Sequence, residues 1–299
     1  MLDQKIYSLL KVAECGSFVA ASKELFITQP AISQQIKSLE KELKTRIFER
    51  CNGKIVITET GERVIDCARK LAGLEKSLME ELRNSRVMLE HLTIGVTHTI
   101  ESNPIAEALA KYCSQNDKIS IKIITEPISK LYNMLRSYEL DLAIIEGRFP
   151  DDSIKHLLLD TDFLVVAVSP DHPFANRNMV TLSELKKERL ILRLPNSGTR
   201  NLFLANIESN GMSISDFNVI LEIDNVATIK DLIRRSFGVS ILPKSVCLNE
   251  IKKKKIVVLP VENLSMMRET NIAYRSDFTQ LDFLQEIVRS YHETLRTYR

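Results

Sequence analysis

The sequence lacks features that would place it in a membrane or an export pathway. It has no run of about 18 apolar residues, so no segment is expected to cross a membrane as a helix. The first twenty residues carry charges at positions 3, 5, 11 and 14, where a signal peptide needs an unbroken apolar core. No low-complexity tract occurs. We therefore expect a cytoplasmic protein with no membrane partner, whose 299 residues form two or three domains.

Paired cysteines and catalytic motifs are also missing. The five cysteines are odd in number, scattered, and never in C-x-x-C spacing, which favours reduced thiols over disulfides or a zinc site. A redox-sensing thiol among them is an alternative. The five histidines lack ligand spacing, and no G-x-S-x-G or P-loop sequence is present. We expect no catalytic residue, no metal site and no cofactor.

The total charge of the chain indicates little about its binding partners. The net charge of the chain is +2, which does not by itself predict a polyanionic partner. Residues 1–60 contain nine Lys or Arg against seven Asp or Glu, so the local excess is equally small. If this segment binds nucleic acid, it must do so through a few well-placed cations.

The first 43 residues show the apolar spacing of three helices. The first helix covers residues 2–14 and ends at Gly16. Ser17 is a suitable N-cap for a short second helix over residues 19–25, where small alanines allow close helix packing. The segment that follows, "FIT", is short and predicts a tight turn.

The third helix carries one distinctly polar side. Thr28 is suited to cap it, and Pro30 falls in its first turn, where a missing N–H does no harm. The apolar residues of this helix are Ile32, Ile36, Leu39 and Leu43. Their spacing of three and four leaves the remaining side facing outward. That outward side contains Gln29, Ser33, Gln34 and Lys37.

Two short helices joined by a tight turn predict a helix-turn-helix, whose second helix enters the major groove of DNA. Gln can pair with adenine, and Ser or Thr can contact a base edge or a phosphate. The alternative is a solvated helix in an all-α bundle. A basic hairpin favours the first interpretation: Asn52-Gly53 is a hairpin turn sequence, and Arg50 and Lys54 flank it as a wing that can bind phosphate. The DNA-binding candidates are Ser17, Thr28, Gln29, Pro30, Ser33, Gln34, Lys37, Arg50 and Lys54.

The run "SFVAASKELFITQPAISQQIKSLEKELKTRIFER", followed by "ITETGE", resembles the N-terminal domain of LysR-type transcriptional regulators almost residue for residue. The resemblance implies a winged helix-turn-helix that binds promoter double-stranded DNA as a homodimer or homotetramer and responds to a small co-inducer. One position departs from the family pattern. Many members carry Arg after the Ser of "PAVSRQI", whereas Gln34 stands here, so the DNA contact at that position is expected to differ.

A long helix is predicted to follow, from about residue 59 to about residue 87. Leu71, Leu74 and Leu78 recur every three or four positions and form an apolar seam. A twofold-related partner helix is the favoured occupant, because a dimer doubles the length of DNA that is contacted. The seam could alternatively pack within its own subunit.

From residue 91 onward, short β-rich runs alternate with helices, which predicts an α/β region of about 200 residues. It resembles the two-lobed periplasmic-binding-protein fold that the family uses as its sensor. The predicted strands are 92–96, 120–124, 140–145, 162–169, 190–194, 218–223 and 271–275. The predicted domains are a winged helix-turn-helix at 1–58, a linker helix at 59–90 and an effector-binding domain at 91–299. Within the last, one lobe takes 91–161 with 267–299, and the other takes 162–266.

Three predicted helix starts are expected to line the cleft between the lobes, because free N–H groups at a helix start favour an anion. The effector candidates are Thr97, His98, Thr99 and Ser102 in the first lobe, and Ser197, Gly198, Thr199, Arg200, Asn225 and Thr228 in the second. Arg200 could bind a carboxylate with two hydrogen bonds. Ordinary N-capping explains each start taken alone. Together with the resemblance, they predict a small anionic metabolite or an oxyanion as the ligand.

Other interpretations remain open at this point. Lys252–Lys255 could suggest nucleic-acid binding, but a solvated approach to a strand is favoured because the block lies far along the chain from the wing. An enzyme would need a nucleophile–base pair or a metal cluster, and a transport-binding protein would need export. A constitutive architectural DNA-binding protein with a vestigial cleft is a third alternative. A ligand that raises thermal stability would distinguish the sensor from it.

Overall fold

The computed structural model describes residues 2–51, 53–84, 90–148, 151–195 and 197–298. Two compact units make up the chain, one of residues 1–90 with 133–140 and the other of residues 91–132 with 141–299. No helix in the described part of the chain is long and apolar enough to span a membrane.

The N-terminal elements are α1 (Gln4–Cys15), α2 (Phe18–Glu24), α3 (Gln29–Leu43), β1 (Phe48–Cys51), β2 (Lys54–Ile57) and α4 (Glu59–Asn84). The predicted three-helix arrangement with a hairpin is therefore confirmed. Ser17 and Thr28 cap α2 and α3 through their side-chain oxygens, which accept from the N–H groups of Ala20 and Ala31. Gly16 ends α1 in the left-handed conformation, with φ of 62°.

One apolar core holds these helices together, and the inward side of α3 supplies Ile32, Ile36 and Leu39 to it. Leu43 was expected on the same side but is exposed. It is the last residue of α3 and lies beyond the part of the helix that the core covers. Exposed leucines also follow one side of α4, at Leu71, Leu74, Leu78 and Leu82. The predicted end of this helix, near residue 87, lies outside the described residues.

The hairpin is anchored to both helices that flank it. Its strands pair antiparallel, with Phe48 opposite Ile57, while Asn52 of the predicted turn lies outside the described residues. Glu40 Oε1 accepts from the N–H groups of Ile47 and Phe48, at 2.7 and 3.2 Å. Gly61 in the first turn of α4 lies against the carbonyl of Ile47, where a Cβ would sit 2.2 Å from the oxygen. Only glycine fits that approach.

Downstream, the helices are α5 (Ile105–Gln115), α6 (Ile128–Arg136), α7 (Leu182–Leu185), α8 (Gly198–Ser209), α9 (Val226–Arg234), α10 (Leu248–Lys252) and α11 (Leu281–Arg296). The strands are β3 (Glu90–Val96), β4 (Ile119–Thr125), β5 (Leu142–Glu146), β6 (Ile154–Val168), β7 (Leu190–Leu192), β8 (Val219–Glu222), β9 (Ser240–Pro243), β10 (Val257–Leu259) and β11 (Met267–Arg275). This alternation confirms the predicted α/β class. Lys252–Lys255 are exposed at the end of α10 and in the turn that follows it.

A seven-stranded sheet runs in the order β10-β6-β11-β5-β3-β4, and β9 also pairs with β6. Strand β6 has 15 residues, so the prediction of 162–169 captured only its second half. The first half was missed because Lys155, His156 and Asp160 interrupt its apolar pattern. That half pairs with β11, and the second half pairs with β9 and β10.

Two large apolar cores lie along this sheet and define the two lobes. One core includes Leu92, Ile144 and Tyr291, and the other includes Leu164, Phe203 and Met266. The chain passes between them twice, within β6 and at the start of β11, where Leu164 N donates to Met266 O at 2.9 Å. The domain and lobe limits given above stay predictions at the level of single residues.

Glycine is scarce, with nine residues in the chain, and other residues take its place at helix ends. Among the described residues, the non-glycine residues with left-handed φ are Phe26, Lys44, Tyr138, Ser236 and Lys254, which follow helices, and Asn263, which lies in a turn before β11. Ser236 shows the pattern: its N–H donates to Ile233 O at 2.9 Å and the N–H of Phe237 donates to Leu232 O at 3.1 Å. This pair of hydrogen bonds is the Schellman motif, in which glycine is the usual residue.

Candidate functional site

The predicted DNA-binding residues lie at the start of α3, along its outward side and on the hairpin. Gln29, Pro30, Gln34 and Lys37 are exposed. Gln29 Nε2 donates to Ser33 Oγ at 2.9 Å, which holds the two side chains together one helical turn apart. The side-chain oxygens of Ser17 and Thr28 accept hydrogen bonds from the first turns of α2 and α3, so their first role is to cap these helices.

Basic residues surround this polar side. Arg50 on β1 and Lys54 on β2 are exposed, as the wing prediction requires. An open groove of about 500 Å³ at the end of α3 is lined by Lys37, Glu40, Lys41, Lys44, Thr45 and Arg46. Lys41 and Lys44 were not among the predicted residues, although their spacing from Lys37 could have indicated a shared surface. The arrangement presents amide and hydroxyl groups flanked by cations, which suits base and phosphate contacts.

In the sensor, Thr97 and Thr99 follow β3 and are both buried. Thr97 Oγ1 donates to Glu146 Oε2 at 2.7 Å. Thr99 Oγ1 accepts from Arg193 Nη1 at 3.0 Å. The turn after them is a short 3-10 helix, Ile100–Ser102, and α5 begins only at Ile105, so the first predicted helix start lies later than expected. Ser102 is within that turn.

The second predicted helix start is found where expected. Ser197 is the N-cap of α8 but makes no capping hydrogen bond, and its buried Oγ has no partner among the described residues. Gly198 has open space where a Cβ would stand. Thr199 is buried, and its Oγ1 accepts from Arg268 Nη1 at 3.3 Å.

The other candidates make contacts that the fold itself uses. Arg200 Nη1 donates to Glu222 Oε1 at 2.6 Å and to the carbonyl of Arg193 at 3.1 Å. Asn225 caps α9 by accepting from Thr228 N at 2.9 Å, which is the ordinary capping role. His98 Nε2 lies 3.9 Å from Asp224 Oδ2 in a half-exposed position.

Two buried arginines join the predicted hydroxyls, and sequence analysis missed both. Arg193 is 3% exposed and Arg268 is 9% exposed. Arg193 Nη2 donates to Asp224 Oδ1 at 2.9 Å. Arg193 interrupts the apolar run "LILRL", and charged residues are rarely fully buried without a partner, so that interruption was the available indication.

Arg268 lies between two carboxylates. Its Nη1 donates to Glu146 Oε1 at 3.3 Å, and its Nη2 lies 3.8 Å from Asp162 Oδ2. Ser245 holds Asp162 in place, because its Oγ donates to Oδ2 at 2.6 Å and its N–H donates to Oδ1 at 3.2 Å. The charge of the guanidinium is therefore compensated from two sides.

Several N–H donors of these arginines remain unused. The Nε atoms of Arg193 and Arg268, and Nη2 of Arg268, are buried and make no hydrogen bond to any described residue. A buried donor without an acceptor is costly, so such groups usually meet water or a ligand. Arg193–Thr99 joins the two lobes, and Arg268 at the crossing reaches Thr199 of the second lobe. The arrangement can offer guanidinium and hydroxyl groups to an anion placed between them.

Comparisons with known proteins agree with this architecture. The family model described as "Bacterial regulatory helix-turn-helix protein, lysR family" matches residues 4–62, and the model "LysR substrate binding domain" matches residues 86–296. A probable RuBisCO transcriptional regulator from Phaeodactylum tricornutum is 26% identical over 282 residues, covering 92% of this chain and 91% of the relative. The activator CmpR from Synechocystis is 29% identical over 267 residues, covering 88% and 86%.

Solved structures show the same fold. Full-length CbnR complexed with its target DNA has a TM-score of 0.65 at 17% identity, covering 98% of this chain and 100% of CbnR. A full-length OxyR variant from Pseudomonas aeruginosa has a TM-score of 0.63 at 21% identity, covering 98% and 95%. Since the two family models together span the helix-turn-helix and the sensor, this chain belongs to the LysR family of DNA-binding transcriptional regulators.

Proposed function

We propose that a small anion binds between the two sensor lobes and thereby modulates binding of the chain to promoter DNA. The observation that carries this proposal is the pair of buried arginines, Arg193 and Arg268, whose N–H donors are partly unused beside Thr99 and Thr199. Guanidinium groups bind carboxylates and oxyanions with charge-assisted hydrogen bonds.

Arg268 has more nitrogens available to an anion than Arg200 does. Glu222 and a backbone carbonyl occupy Nη1 of Arg200, which leaves its buried Nε unpaired among the described residues, whereas Arg268 has two such nitrogens, Nε and Nη2. Ser197 adds an unused buried hydroxyl next to Thr199. Glu146 and Asp162 also lie beside Arg268. An anion therefore binds most tightly where it reaches the unused N–H donors without displacing either carboxylate.

Regulation follows if the anion binds one arrangement of the lobes more tightly than another. A ligand that contacts both lobes favours the arrangement in which both contacts exist, and only such a difference in affinity can shift an equilibrium. By linkage, the ligand then changes DNA affinity and DNA changes ligand affinity by the same factor. We propose that the assembly on DNA is a homodimer or homotetramer.

The test is a thermal-unfolding screen of the full-length protein with sulfate, phosphate, bicarbonate, dicarboxylates and sugar phosphates. Bicarbonate and sugar phosphates are included because several relatives are named as RuBisCO regulators. We expect one class of anion to raise the unfolding temperature by mass action and to change operator affinity in fluorescence anisotropy.

Matched variants locate the ligand. Thr199→Val removes the hydroxyl that accepts from Arg268, so it should abolish the response to the anion while leaving DNA binding without ligand unchanged. Thr294→Val is the control, because that equally buried hydroxyl donates to Ser290 O at 2.8 Å within α11 and is not a candidate for the site. If Thr199→Val protein responds as the parent does, the anion does not bind at this site.

A further inference from the structure

Phe26 in the turn between α2 and α3 is exposed to an unusual extent. Phe26 is 94% exposed, whereas the other exposed large apolar residues among those described reach at most 57%. A phenylalanine in this position gains nothing from the core of its own domain, since burial of apolar surface is what stabilises such a residue.

The backbone conformation at Phe26 does not favour phenylalanine either. Its φ is 55°, and its N–H donates to Lys23 O at 3.4 Å while Ile27 N donates to Ser22 O at 3.1 Å. This is a Schellman motif, in which glycine or asparagine is favoured. Ser236 and Lys254 occupy similar left-handed positions, so exposure rather than φ distinguishes Phe26.

The location of Phe26 points to its partner. It precedes Thr28, the N-cap of α3, by two residues, and the exposed Gln29 and Pro30 follow directly. In a helix-turn-helix the N-terminal residues of the second helix contact base edges in the major groove. An aromatic ring beside that point meets apolar groups of DNA, of which the thymine 5-methyl group is the one exposed in the major groove.

We propose that Phe26 packs against DNA through an apolar contact, with a thymine 5-methyl group or with the deoxyribose face, and so contributes to operator affinity. The proposal rests on DNA binding by this family of regulators and is independent of the effector site. The fully exposed ring is then buried only in the complex, which explains why an apolar side chain stands at a position where the free protein gives it no contact.

The experiment uses the full-length protein and an operator duplex selected from a random pool. Phe26→Asn removes the ring and suits the left-handed backbone, so the fold should be retained or stabilised. We expect the dissociation constant for the operator to rise about tenfold, the order expected for losing burial of one aromatic side chain. Ser236→Asn is the matched control, because it makes the same kind of replacement at a left-handed position of the sensor, and operator affinity should not change.

Replacing each thymine of the operator by deoxyuracil distinguishes the two sources of the contact. If one replacement weakens the parent but not Phe26→Asn, the ring contacts that methyl group. If Phe26→Asn weakens all duplexes alike and no replacement matters, the ring contacts deoxyribose. Unchanged operator affinity in Phe26→Asn overturns the proposal, as does a loss of affinity that comes with a smaller sedimenting species, because the ring would then contact another protein subunit.

Discussion

Replacing Arg268 and Arg193 separately by methionine should give very different losses of stability. Arg268 is paired with Glu146 and Asp162, whose side chains are 13% and 8% exposed. Arg193 is paired with Asp224, whose side chain is 46% exposed. Methionine keeps an apolar stem of similar shape in both cases, so the comparison isolates the loss of the guanidinium.

The burial of the carboxylates sets the magnitudes. Arg268→Met leaves two buried carboxylates without their shared cation, and breaking a buried ion pair costs about 3 to 5 kcal/mol. Arg193→Met leaves Asp224 with access to water, so the electrostatic loss should be about 1 kcal/mol. The hydrogen bond from Arg193 to Thr99 adds about 1 kcal/mol to the second figure.

Urea unfolding followed by far-UV circular dichroism at pH 7 measures both losses, with the slope against urea checked for a change in the unfolded state. A difference of about 1 to 3 kcal/mol between the variants is expected. Arg268→Leu serves as a second replacement of similar volume. If both arginine variants lose the same free energy of unfolding, the balance of charges around Arg268 has been assigned wrongly.

Further outcomes are expected. Gln29→Ala should weaken operator binding by about 1 to 3 kcal/mol while sparing non-specific DNA, and equal losses on both DNAs would contradict its role in reading bases. Arg50→Ala should weaken binding to both DNAs and reduce the slope of log K against log salt by about one, and an unchanged slope would contradict a phosphate contact. Leu78→Glu should yield a smaller species in sedimentation if the exposed leucines of α4 cover a partner helix, and an unaltered species would contradict that assembly. Burial, followed by the charge of Arg148, lowers the pKa of His156, so the unfolded chain binds more protons near pH 6 and stability falls as pH drops below about 6.5. In urea titrations, the free energy of unfolding should fall less between pH 7 and pH 5 in His156→Gln than in the parent protein. An equal fall in both proteins would exclude a contribution from His156.

Local chemistry made much of the first unit predictable. The caps at Ser17 and Thr28, the Gly16 helix end and the inward spacing of Ile32 and Ile36 depend on residues within one or two turns of each other. The predicted burial of Leu43 was wrong because the spacing of apolar residues alone does not indicate where a core ends. The same limit applied to β6, in which Asp160 and other polar residues concealed a strand that pairs along its full length.

The charged part of the candidate site could not be predicted in the same way. Arg193 meets Thr99 at a separation of 94 residues, and Arg268 meets Glu146 at a separation of 122. Such pairs join residues that are far apart in the sequence, so no local pattern specifies the partner, although the interruption of the apolar run marked Arg193 itself as unusual. The hydroxyls at the helix starts could be predicted because a helix start has a recognisable sequence. Their arginine partners have no such signal, since Arg268 lies in β11 and Arg193 directly follows β7.

The long strand β6 has a consequence for how the sensor unfolds. Its first half pairs with β11 in one lobe and its second half pairs with β9 and β10 in the other. Unfolding of either lobe would expose the backbone at the crossing, where Leu164 N donates to Met266 O, and unpaired backbone groups are costly where they are buried. The two lobes should therefore melt in one cooperative transition despite having separate cores, and calorimetric and van't Hoff enthalpies of the sensor should agree. An anion bound between the lobes should then slow amide hydrogen exchange in both cores by the same factor, wherever that exchange requires global unfolding.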